Sequence, residues 1–85
     1  MSTLILNIIW EVLEKMKIGD RIRALREERG IRQTDLAEAI GVALTTISGY
    51  ELGTRTPRID VLTKIAEYFG VTPNYLLANT LHLSI

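Results

Sequence analysis

Between Leu44 and Gly49, four residues of a helical pattern face the same way: Leu44, Thr45, Ser48 and Gly49. Hydroxyls such as those of Thr45 and Ser48 both donate and accept hydrogen bonds. Leu44 offers an apolar group, and Gly49 leaves the helix backbone open. Side chains this short have nothing of their own to pack against, so the face suits a helix laid on a partner surface. The major groove of duplex DNA is wide enough to admit one α-helix, and it is the candidate partner. Catalysis lacks a footing. No nucleophile with a base, no carboxylate pair, no phosphate-binding glycine loop and no metal-ligand cluster stands out, and the spacing predicts neither an enzyme nor a cofactor.

The face needs a helix to carry it and a second helix to hold that one. Gln33 to Leu52, QTDLAEAIGVALTTISGYEL, supplies both, as two helical patterns separated by one glycine. Leu36, Ala37 and Ile40 share one face of the first, and Ile47 and Tyr50 share one face of the second, so both can converge on one core. Gly41 is the pivot, because a glycine there can take positive φ and close the first helix. Ala37 is small enough for the second helix to cross close by. Gly53 is placed to close the second.

The flanking chain completes a small helical domain. Asp20 to Arg29 reads as a helix with Ile18, Ile22 and Leu25 as its apolar stripe and Gly30 as its stop. Arg58 to Phe69 presents Ile59, Leu62, Ile65, Ala66 and Phe69 to a core, and Gly70 ends it. Thr72-Pro73 has the chemistry of an N-cap and first helical position for a last short helix through Leu77, with Tyr75 and Leu76 as core plugs. Ahead of this domain, Leu6, Ile9, Trp10, Leu13 and Met16 line one side of an amphipathic extension. It reads either as an extra helix covering the core or as a dimerisation helix. After the domain, Leu81-His82-Leu83-Ser84-Ile85 alternates with period two, as a docked arm would. The expected fold is therefore all-α, five helices with an extra N-terminal helix, divided into an extension over 1–17, a domain over 18–77 and an arm over 78–85.

IGDRIRALREERG, Gln33, LAEAIGV, TISGYELGTRTP and LTKIAEYFGVTPNYLL, in this order and spacing over Ile18 to Leu77, resemble the Cro and phage-repressor (Xre-type) helix-turn-helix family. The resemblance implies a DNA-binding transcriptional regulator, most often a repressor. In the family, the start of the recognition helix and the residue one turn later reach base edges; here those positions are Leu44, Thr45, Thr46 and Gly49, with Ser48 beside them. No Arg, Lys, Gln or Asn is among them to make a bidentate contact, so the predicted readout is modest, with Gly49 allowing close approach and DNA shape adding selectivity. Arg32 and Gln33, with Arg55 in the following loop, are the expected contacts to the duplex backbone. The family's arginine and glutamate that form a buried pair correspond to Arg26 and Glu51. Two caps depart from the pattern: Arg32 and Ala43 stand where Ser, Thr or Asn is common, so the recognition helix should start less firmly than most.

Composition sets the remaining bounds. A chain of 85 residues without cysteine forms one small domain with no disulfide, and its single His82 cannot build a zinc cluster alone. The N-terminal apolar run is broken by Glu11, Glu14 and Lys15 and has no basic residue before it, so a cytoplasmic protein without a membrane segment is expected. Ten basic residues balance ten acidic ones, although basic residues outnumber acidic ones between Lys17 and Arg32. That balance supports an alternative, a protein-interaction module of the same fold such as an antitoxin or an anti-repressor target. The apolar residues at the two ends exceed what a five-helix core needs. They predict a homodimer formed through one or both ends.

Overall fold

The computed structural model describes residues 17–77, in which five helices follow one another: α1 (Ile18–Glu28), α2 (Gln33–Ile40), α3 (Leu44–Leu52), α4 (Ile59–Phe69) and α5 (Pro73–Leu76). The described residues are all-helical apart from turns and connections. The N-terminal extension, apart from Lys17, and the C-terminal arm lie outside the described residues, and so do their apolar segments. No helix among the described residues is long and apolar enough to cross a membrane.

One core takes a stripe from each helix: Ile22 and Leu25 from α1, Leu36, Ala37 and Ile40 from α2, Ile47 and Tyr50 from α3, Leu62, Ile65, Ala66 and Phe69 from α4, and Leu76 from α5. The 3.6-residue period puts these side chains on single faces, and their removal from water supplies the main force holding the helices together. α3 packs on both α1 and α2, α2 packs on α4, and α5 closes against α1 and α4. The motif helix is thus held from two sides and keeps one face outward.

Two expectations about the core need correction. Ile59 is 69% exposed, because it occupies the first position of α4, a turn before the buried stripe begins at Leu62. Tyr75 is 45% exposed rather than a core plug. Its ring instead lies under the Arg21 guanidinium, 5.5 Å from the ring centroid, a cation–π arrangement that suits a surface aromatic.

Capping explains the helix boundaries. Gly41 and Gly53 end α2 and α3 with φ of 78° and 83°, the left-handed conformation that L side chains resist. At the starts of α1 and α2, which lack an N-cap hydroxyl, a carboxylate three residues on accepts the backbone N–H of the N-cap residue. Asp20 accepts the backbone N–H of Lys17 at 2.9 Å, and Asp35 accepts that of Arg32 at 3.0 Å. This is half of a capping box. α3 has no such help: Ala43 is its N-cap, and no acidic residue lies in its first turn. Ala43 already has extended backbone, φ −73° and ψ 153°, so Ala43→Ser should supply the absent acceptor and raise stability by about 1 kcal/mol. A urea midpoint no higher than that of the wild type would show that the first turn gains nothing from a cap.

Candidate nucleic-acid interface

α3 turns its core face inward through Ile47, Tyr50 and Glu51, all buried, while Leu44 is 43% exposed and Thr45 is exposed beside it. Thr46 and Ser48 are half-buried at the edges of this outward face. The turn between α2 and α3 fixes its attitude. Gly41 and Val42 both donate their backbone N–H groups to the Ala37 carbonyl, at 2.9 and 3.0 Å, and Val42 packs against the core.

Behind the face runs a chain of polar contacts. Arg26 Nε donates to Glu51 Oε2 at 2.7 Å and its Nη2 to Oε1 at 3.0 Å, a two-pronged pair whose side chains are only 13% and 3% exposed. Hydrogen bonding to Glu51 raises the Arg26 pKa against the opposing effect of burial. The third prong, Arg26 Nη1, donates to the Ile31 carbonyl at 2.9 Å, tying the pair to the α1–α2 connection. Gln33 then links the pair to the surface: its Nε2 donates to Glu51 Oε1 at 3.0 Å, and its Oε1 accepts from the Ser48 hydroxyl at 2.9 Å. Both ends of the Gln33 amide are therefore committed within the protein. Ser48 is held to it.

Gly49 does not lie open. It is buried, and a Cβ placed on it would come within 2.8, 3.0 and 3.3 Å of Arg55 Cδ, Cγ and Cβ. The close approach this glycine permits is that of the Arg55 stem, which fills the space expected to be open. The loop is folded back to reach it, since the Gly49 carbonyl accepts from the backbone N–H groups of Thr54 and Arg55 at 3.0 and 3.1 Å.

The two remaining expected contacts differ in their freedom. Arg32 has a side chain 80% exposed but paired with Asp35, which accepts from Nη2 at 3.1 Å and from Nε at 3.2 Å. This bonding raises the Arg32 pKa and lowers that of Asp35. The Asp35 contribution is present above the ordinary carboxylate pKa and is lost as pH falls through the lowered one. Arg55 is exposed, and its guanidinium has no hydrogen bond or ion pair among the described residues. Sequence reasoning passed over Asp35, although a carboxylate three residues after a helix start is a readable signal. It also passed over Arg29, whose guanidinium donates to the Phe69 carbonyl at the end of α4 and lies 5.4 Å from the Phe69 ring centroid. Among the described residues, no group of three or more His, Cys, Asp or Glu is arranged to hold a metal ion.

The helix-turn-helix family profile matches residues 22–76. The cryptic phage CTXphi transcriptional repressor RstR of Vibrio cholerae is 41% identical over 53 residues, which are 62% of this chain and 48% of that protein. The chain thus spans about half the length of the curated relatives it matches. Two solved structures share the fold. The P22 c2 repressor in complex with a synthetic operator superposes with a TM-score of 0.68 at 33% identity, covering 71% of this chain and 91% of that one. The biofilm master regulator SinR in complex with DNA gives 0.67 at 36% identity, covering 71% and 97%. With five helices in this arrangement, the pair of Arg26 with Glu51 behind an outward α3, and these relatives, the chain belongs to the helix-turn-helix family of the Cro and phage-repressor (Xre) type.

Proposed function

We propose that the chain is a sequence-specific DNA-binding transcriptional regulator, acting as a repressor, which lays α3 in the major groove. The observation that carries this reading is the division of α3 into a face locked to the core through Ile47, Tyr50 and Glu51 and a short-chained face left outward at its N-terminal half. Leu44, Thr45, Thr46 and Ser48 meet base edges, the hydroxyls as donors or acceptors and Leu44 against thymine methyl groups. Arg32 and Arg55 supply positive charge at the border of this face. Gln33, its amide turned inward, keeps the backbone N–H at the first position of α2 for a phosphate. Solved relatives in complex with operator or DNA support duplex DNA as the partner. The protein works as a homodimer through its apolar terminal segments, and in the cytoplasm.

Thr45→Ala tests the assignment. Thr45 is exposed, so stability should stay within about 0.5 kcal/mol of wild type. Sequence preference should change at one base pair of each half-site. An unchanged binding profile at unchanged affinity removes Thr45 from the interface. Salt separates this reading from a protein-interaction module, because affinity for duplex DNA falls steeply as salt rises and the release of phosphate counterions gains less, whereas an apolar protein contact hardly responds.

A further inference from the structure

The outward face of α3 contains no Arg, Lys, Gln or Asn, yet the strongest discrimination between base pairs comes from the bidentate contacts such side chains make. We propose that Arg55 supplies this contact, donating from its guanidinium to O6 and N7 of a guanine, and that Gly49 is the seat that positions it. The inference rests on the regulator reading above and reassigns Arg55 from a general backbone contact to the residue that sets specificity.

The first support is the seat. Glycine inside a helix weakens it relative to alanine, and Gly49 stands in α3 without the left-handed backbone that elsewhere demands glycine. What its missing Cβ admits is Arg55, whose Cβ, Cγ and Cδ all lie within 3.3 Å of where that atom would be. The second support is the loop. Gly53 reverses the chain, and the two backbone bonds from Thr54 and Arg55 to the Gly49 carbonyl hold the loop against the last turns of α3. The guanidinium begins at the atom after Cδ, so the charged group sets out from the surface of α3 at position 49, one turn beyond Thr45.

The third support is availability. Arg26 is committed to Glu51, Arg29 to the Phe69 carbonyl, Arg32 to Asp35 and Arg23 to Glu27, whereas the guanidinium groups of Arg55 and Arg58 have no such partner among the described residues, and it is the Arg55 stem that lies on α3 at Gly49. A phosphate contact would need no seat, because a flexible cation anywhere on the loop answers a diffuse negative charge. A stem laid against a helix suits the planar fork of arginine, whose donors match guanine only in a fixed orientation.

Three chains decide it, each used to select bound duplexes from a random pool: wild type, Arg55→Lys and Gly49→Ala. Lysine keeps the charge and the stem but not the fork. Arg55→Lys should lose the preference for guanine at one base pair of each half-site, with discrimination falling on the order of ten-fold or more, while the salt dependence stays as in wild type. Gly49→Ala retains a good helix former, and should lose the same preference because the new methyl displaces the Arg55 stem. In the Arg55→Lys background it should add nothing at that base pair. If Arg55→Lys keeps the wild-type preference at every position, Arg55 is a phosphate contact and the proposal is overturned. If Arg55→Lys loses the guanine but Gly49→Ala keeps it, the seat is overturned. A wild-type chain that enriches no site overturns the regulator reading itself.

Discussion

Glu51→Gln is expected to lower the unfolding free energy by about 3 to 5 kcal/mol, the usual consequence of leaving one member of a buried ion pair without its counter-charge. Arg26 would keep its charge at a site where its side chain is only 13% exposed. The neutral amide would also present an NH2 group where Arg26 and Gln33 already donate. Geometry, more than net attraction, is what the pair supplies, because desolvating both ions offsets much of their Coulombic gain. It ties α1 to the end of α3 and, through Gln33, reaches Ser48 at the border of the outward face. Removing the charge should therefore loosen that face as well as the core. Urea denaturation measures the first effect; a midpoint equal to that of wild type would show that the pair contributes nothing to stability.

Gly19→Ala is the second large effect, and its sign runs against helix propensity. In an exposed helix the change from Gly to Ala favours folding by about 1 kcal/mol. Here the added Cβ would fall 1.9 Å from the Tyr50 carbonyl oxygen and 3.2 Å from Glu51 Cα, both backbone atoms of α3. Neither can swing aside as a side chain does, so α1 and α3 must separate. That overpacking should cost about 3 kcal/mol, at the upper end of the usual range. Thermal unfolding checks it: a melting temperature at or above that of wild type would mean that the two helices have room to give.

The parts of the fold that follow from local chemistry were legible in the sequence. Helical periodicity marks α1 to α4, and Gly41 and Gly53 end their helices where a left-handed residue is needed. The closeness of Arg26 and Glu51 is a different matter. Their positions are 25 residues apart, and no periodicity pairs them; only the resemblance to a family brought them together beforehand. What stayed hidden depends on contacts between elements. Gly19 reads as an ordinary residue near a helix start, and only the crossing of α1 over α3 reveals why a Cβ is excluded. Gly49 looked like an opening for DNA because a sequence does not say that the loop after Gly53 folds back and lays the Arg55 stem there. Gln33 looked like a surface contact because its two internal partners, Glu51 and Ser48, come from another helix. Ile59 fits the apolar stripe of α4 by spacing, yet spacing cannot tell where the neighbouring helices end.

Duplex recognition by α3 as a paired reader stands most directly on selection of bound fragments from a random DNA pool by the intact chain, repeated at several salt concentrations. Two half-sites related by two-fold symmetry should emerge, with centres roughly 34 Å apart, one helical turn of the duplex. Affinity for the selected site should fall linearly with salt on logarithmic axes. A pool that remains random at every salt concentration would contradict sequence-specific recognition, and enrichment of a single unpaired half-site would contradict the homodimer.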